Sequence, residues 1–143
     1  MRVNWFFTRP IKVGVSVILV TPDKMVLLVR HSYRGELHTP GGNLDKNEIF
    51  EDAAKRELKE ELNVQVDNLK LFTIKQCFKK FKSQIILIFI SELTKEPEIN
   101  IDEVEIIEAK WYPIDDLPKD TSEATKETVL EYVQRSKDLR NNR

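Results

Sequence analysis

Cysteine, histidine, glycine and long apolar runs are all scarce in this sequence. Cys77 is the only cysteine among 143 residues, so no disulfide can close within the chain. A reducing, cytoplasmic setting and a buried, inert thiol are the expectation. No apolar run approaches the roughly 20 residues of a membrane span, and Trp5-Phe6-Phe7 is too short for a secretory core and has no small-residue cleavage pattern, so a membrane protein is not expected. Charge of one sign is absent too. Lys and Arg number 23 against 24 Asp and Glu, a net charge of −1, which removes the global field that would draw the chain onto nucleic acid or an anionic membrane. Any anionic ligand must be held locally. With no repeat, low-complexity tract or linker, 41% apolar and 33% charged residues describe one globular domain over residues 1–143, its core spanning about 11–137.

The β-branched run at 11–20 predicts a strand, Thr21-Pro22-Asp23-Lys24 a turn with Pro at its second position, and residues 25–30 the return strand. Pro40-Gly41-Gly42 reads as a loop in which successive glycines reach backbone conformations closed to other residues. Residues 69–78 and 84–93 predict two strands joined by a lysine-rich turn, and 104–112 a further strand. A final helix is expected to about residue 137, with Asp120 and Glu123 spaced as a capping box and residues 138–143 frayed. The order β-β-β-α-β-β-β-α predicts an α/β or α+β layered domain with a mixed sheet between helices.

The intervening helix carries Arg56-Glu57-Leu58-Lys59-Glu60-Glu61. With Glu57 at zero on a wheel advancing about 100° per residue, Glu60 falls near −60° and Glu61 near +40°. Ile49, Phe50, Ala53, Ala54 and Leu58 occupy that same half, while Asp52, Lys55, Arg56, Lys59 and Asn63 face the other way. Three carboxylates at i, i+3 and i+4 turned toward protein repel one another and lose hydration, so something cationic must compensate. A lysine or arginine from a neighbouring strand could do this. Clustered carboxylate oxygens are also hard ligands suited to magnesium or manganese, ions that bind phosphate oxygens as well.

Gly42, Glu48, Arg56, Glu57, Leu58, Glu60, Glu61 and Val64 fall in register with the signature box of the Nudix hydrolases, which this stretch resembles. The departure is Asn63, where the pattern has glycine. Asparagine tolerates a left-handed helix terminus better than other non-glycine residues, so the turn is expected to survive. Pro40-Gly41-Gly42 resembles the family's entry loop, and the stretch from Trp111 to Pro118 its later aromatic and acidic segment.

The resemblance implies an α/β/α sandwich with a mixed sheet. It also implies a hydrolase that cleaves the pyrophosphate of a nucleoside diphosphate linked to another group, with Mg2+ or Mn2+. Glu57, Glu60, Glu61 and the Gly41 carbonyl would be metal ligands, and Arg56 and Glu48 would orient the loop and helix. Glu57 and Glu105 are the two candidates for the base. The expected partner is a small nucleotide, with no membrane or nucleic acid and with room for a homodimer. A non-catalytic, Nudix-like nucleotide-binding module is the alternative.

Other groups carry weaker signals. His31 and His38 read as ordinary polar contacts near a loop and take no assigned role. Phe78-Lys79-Lys80-Phe81-Lys82 reads as a lysine-rich hairpin end guarding a sheet edge rather than a phosphate or base contact. Trp5, Phe6, Phe7, Arg30 and Tyr33 could wall a base pocket, though aromatic residues more often pack in cores or subunit interfaces.

Overall fold

A computed structural model of the chain describes residues 11–79 and 82–143. Its elements run β1 (Lys12–Val20), β2 (Met25–His31), β3 (Leu37–His38), β4 (Gly41–Asn43), α1 (Phe50–Leu62), β5 (Lys70–Lys79), β6 (Lys82–Glu92), β7 (Ile106–Pro113) and α2 (Glu123–Asn141). Trp5, Phe6, Phe7, Lys80 and Phe81 lie outside the described residues.

The strands form one seven-stranded mixed sheet. β6 runs parallel to β1 along its whole length, from Lys12↔Gln84 to Val20↔Glu92. The other edge of β1 is divided: β4 pairs with residues 14–16, and β2 joins at Val20↔Val26. β2 carries β7 on one side, from Met25↔Pro113 to His31↔Ile106, and β3 at Val29 and Arg30. β5 and β6 form an antiparallel hairpin. Thr21 closes the first turn, donating its N–H to the Met25 carbonyl at 2.9 Å and accepting the Met25 N–H on Oγ1 at 3.1 Å.

The period of two along β1 explains the layering. Val15, Val17 and Leu19 face one cluster with Leu27, Val29, Leu87 and the Ala53, Ala54, Leu58 and Leu62 face of α1. Ile18 and Val20 face a second cluster with Val26, Ile88 and Tyr132 of α2. Helices therefore cover both faces, the α/β/α sandwich expected from sequence. No helix among the described residues is long and apolar enough to cross a membrane.

Three local expectations change. β7 begins at Ile106, so Glu105 sits in the preceding turn and not in the strand. α2 is capped by Ser122, whose side chain accepts from the Thr125 N–H at 3.2 Å, because Asp120 is taken by an ion pair with Arg30. That helix also continues to Asn141, past the expected end.

Asn63 caps α1 with φ 56° and ψ 34°, as the departure from glycine demands. Its left-handed turn sends Val64 back into the core, 2% exposed. The carbonyls of Glu61 and Leu62, left without partners at the helix end, accept from the N–H groups of Asp102 (2.9 Å) and Asn100 (3.0 Å). Asn63→Gly is expected to leave stability unchanged or raise it by up to about 1 kcal/mol, and Asn63→Val to lower it by about as much or more. Urea denaturation of the three proteins checks this, and equal midpoints would count against the cap.

Candidate active site

The site is assembled where α1 crosses the β4 end of the sheet. Glu57 and Glu61 are 8% and 2% exposed, so two carboxylates point inward from adjacent turns. Glu60 does not: its side chain is 56% exposed, which corrects the expectation that all three glutamates share the buried face. Phe50 and Ile49 are exposed as well, since the first turn of α1 lies beyond the edge of the core.

Arg56 organises the acidic groups. Its Nε and Nη2 donate to the two oxygens of Glu48 at 2.8 and 3.0 Å, Nη1 donates to Glu57 Oε1 at 3.0 Å and to Glu60 Oε2 at 3.1 Å, and Nη2 also reaches the Asn43 carbonyl at 2.9 Å. Such a fork fixes the loop before α1 against the helix and β4. The hydrogen bond from Arg56 holds the Glu48 carboxyl below its usual range, and the Glu48 contact keeps Arg56 firmly protonated. Burial, with the Glu61 charge beside it and Arg56 opposing, raises Glu57 from 4.5 to about 6.

The two glycines are required by space and not by backbone rotation. No glycine among the described residues has positive φ, and Gly41 and Gly42 form a strand where a loop was expected. A Cβ on Gly42 would overlap the Glu57 carboxylate, and one on Gly41 would overlap the Val15 carbonyl and come within 2.8 Å of Ser16 Cα. Val17 N donates to Pro40 O and Leu44 N to Val13 O. Antiparallel alternation then turns the N–H and C=O of Gly41 away from β1, and that N–H lies 3.4 Å from Glu61 Oε2. The Gly41 carbonyl thus belongs to the same side of β4 as the buried carboxylates.

Beside β4 opens a cleft of about 360 Å³ between the sheet, the 31–39 segment and the start of α2. Gly14, Ser16, Gln84 and Ile86 line it, as does Cys77, which is half-buried where a buried thiol was expected. Tyr33 stands at the rim, 70% exposed, its ring beneath the Arg34 guanidinium at 5.5 Å. Arg30, considered for a pocket wall, is instead occupied by Glu108 (3.0 Å), Asp120 and the Gly35 carbonyl. Phe78 is exposed at its hairpin end.

Glu105 is exposed, and its carbonyl accepts from Ser32 N at 2.8 Å, so among the described residues its backbone, and not its side chain, is tied to the strand end that reaches Glu61. His31, given no role from sequence, is buried and touches Glu61. An isolated histidine at a strand end carries no pattern by which its contact could have been found.

The model of the NUDIX domain matches residues 10–133. The chain belongs to the NUDIX family. It is similar to the NAD-capped RNA hydrolase NudC of Escherichia coli (strain SMS-3-5 / SECEC), 34% identical over 104 residues, which is 71% of this chain and 39% of that protein. This NUDIX chain thus spans 39% of the length of that curated relative. Its fold is that of the MutT NUDIX hydrolase from Burkholderia pseudomallei, with TM-score 0.76 at 22% identity, covering 84% of this chain and 96% of the other. The NUDIX domain of Shewanella oneidensis NrtR complexed with ADP ribose superposes with TM-score 0.79 at 18% identity, covering 91% of each chain.

Proposed function

We propose that this chain hydrolyses the pyrophosphate of a nucleoside diphosphate linked to a further group X, releasing a nucleoside monophosphate and the phosphate of X, with Mg2+ or Mn2+. The observation that carries the reading is the pair of buried carboxylates, Glu57 and Glu61, turned toward the Gly41-Gly42 strand beside the cleft.

Among the described residues no three His, Cys, Asp or Glu side chains converge closely enough to hold an ion by themselves. The donor set nevertheless suits a hard divalent cation. Burial, with the Glu61 charge beside it, leaves the Glu57 carboxylate short of compensation despite Arg56, the Gly41 carbonyl faces the same side, and Glu60 stands at the exposed margin. Glu57, Glu61, Glu60 and Gly41 would hold the ion, with substrate oxygens completing its shell. When bound, the ion supplies charge neutralisation at the diphosphate and acidifies the attacking water.

The protein's own contribution is position and proton transfer. Arg56 and Glu48 lock the loop, helix and β4 into one unit. The cleft seats the substrate with its pyrophosphate at the Gly41-Gly42 strand. A carboxylate takes the proton as water oxygen bonds to phosphorus and the bridging P–O bond breaks. Glu57 is the first candidate for this role and Glu105 the second. The cytoplasm is the proposed setting, and the relatives described above add NAD-capped RNA and ADP-ribose to the substrates worth testing.

The test is a panel of nucleoside triphosphates, nucleotide sugars, dinucleoside polyphosphates, ADP-ribose and NAD-capped RNA, run with Mg2+ or Mn2+ at alkaline pH in isotopically labelled water. Release of a nucleoside monophosphate from at least one member is expected, with the label locating the attacked phosphorus. Tight nucleotide binding without turnover under any metal would favour the binding-module alternative, and phosphate release from simple monoesters would overturn the proposed chemistry.

A further inference from the structure

The buried face of the site contains a contact that the reaction does not itself require. β2 shifts register against β7 between Arg30 and His31, and such an irregularity re-aims the side chain that follows it. His31, 5% exposed, thereby points at α1, and its Nε2 lies 3.0 Å from Glu61 Oε1. The other oxygen of Glu61 meets the Gly41 N–H at 3.4 Å. Those are the two hydrogen bonds of the Glu61 carboxylate among the described residues, and the one to His31 is the shorter.

The remaining ring nitrogen decides which atom donates. Nδ1 is buried and has no partner among the described residues. A buried N–H with no acceptor is the more unfavourable arrangement, so the proton belongs on Nε2, where Glu61 accepts it. Tyr33 packs on the ring at 5.3 Å and His38 at 6.5 Å, between centroids, which limits its rotation. Those two rings belong to the wall of the cleft.

We infer that His31 is a positioning residue for Glu61: it grips one carboxylate oxygen so that the other stays on the Gly41 side of the site, aimed where a divalent cation would be held. The inference rests on the reading of Glu61 as a metal ligand. Partners of this kind orient a ligand before the metal arrives, and their loss weakens metal binding about 10–100-fold in general. A histidine that merely filled space would be replaceable by an apolar ring with no effect on metal affinity.

The experiment is titration of nucleotide-free protein with Mn2+, free ion being read by electron paramagnetic resonance, for wild type, His31→Phe and His31→Gln. Glutamine carries an N–H the same number of bonds from Cβ as Nε2, so His31→Gln should bind Mn2+ nearly as wild type does, while His31→Phe should bind about 10–100-fold more weakly. Equal affinity of His31→Phe and wild type, or equal weakening in both variants, overturns the inference. Should His31→Phe fail to fold, His31→Asn replaces it, because its amide is one bond too short to reach Glu61. Weakened Mn2+ binding in a protein that hydrolyses nothing would sustain this role and sink the reaction, whereas unchanged binding in an active enzyme would do the reverse.

Discussion

Glu57→Gln is expected to lower turnover about a thousandfold, within the range for removing a carboxylate that holds metal or moves the proton, while making the metal-free protein more stable at neutral pH. Glutamine keeps the oxygen that accepts from Arg56 and loses the charge. In the folded protein burial raises the Glu57 carboxyl to about 6 from 4.5. The folded state therefore binds this proton more tightly than the unfolded chain does. The stabilisation is complete below pH 4.5 and is lost as pH rises through about 6. That difference corresponds to about 2 kcal/mol, which wild type forfeits in neutral buffer and Glu57→Gln does not. Denaturation in chelator at pH 4.5 and pH 8 separates the two, since the variant should gain its advantage only at the higher pH. Parallel pH profiles would count against the buried, mutually repelling pair, and wild-type turnover would remove Glu57 from the chemistry.

Gly41→Ala and Gly42→Ala should fail in different ways. The new methyl on Gly41 meets backbone, the Val15 carbonyl and Ser16 Cα, and neither can move without parting β4 from β1. About 3 kcal/mol of stability or more should be lost, the upper range for overpacking. The atoms nearest the methyl on Gly42 are those of the Glu57 carboxylate, the end of a side chain that can swing aside. Gly42→Ala should therefore fold with a nearly normal melting temperature and yet lose most of its turnover, because the displaced carboxylate leaves the site. Circular dichroism melts and activity measured on the same samples distinguish these outcomes. Equal melting temperatures for both variants would show that β4 yields more readily than its ladder suggests.

The sequence located the long strands to within a few residues, and showed a helix through Arg56–Glu61, because period-two and period-3.6 apolar patterns run along them. It also located Asn63, whose left-handed cap follows from one residue type at one register position. What stayed hidden depended on distant partners. Asp120 looked like a helix cap because its spacing to Glu123 is right, but Arg30, 90 residues away in sequence, claims its carboxylate. Glu60 falls only about 60° from Glu57 on a wheel, and a wheel cannot show where the covering sheet ends or that Arg56 reaches Glu60 at 3.1 Å. Gly41 and Gly42 invited a conformational explanation that their close neighbours replace with a steric one. His31 became visible only once β2 and α1 were packed together.

The divided edge of β1 also bears on how the chain is made. Translation delivers β1 and β2 first, joined by their short turn, and then the small strand β4 and α1. The long partners come late. The parallel neighbour of β1 ends at Glu92 and the antiparallel neighbour of β2 at Pro113. A nascent chain that has emerged only as far as Leu62 thus holds its two most apolar strands with one open edge each, and pairings this distant in sequence close slowly. Exposed strand edges are templates for association. The interval before residues 84–92 leave the ribosome is therefore when this polypeptide most needs shielding from its own copies.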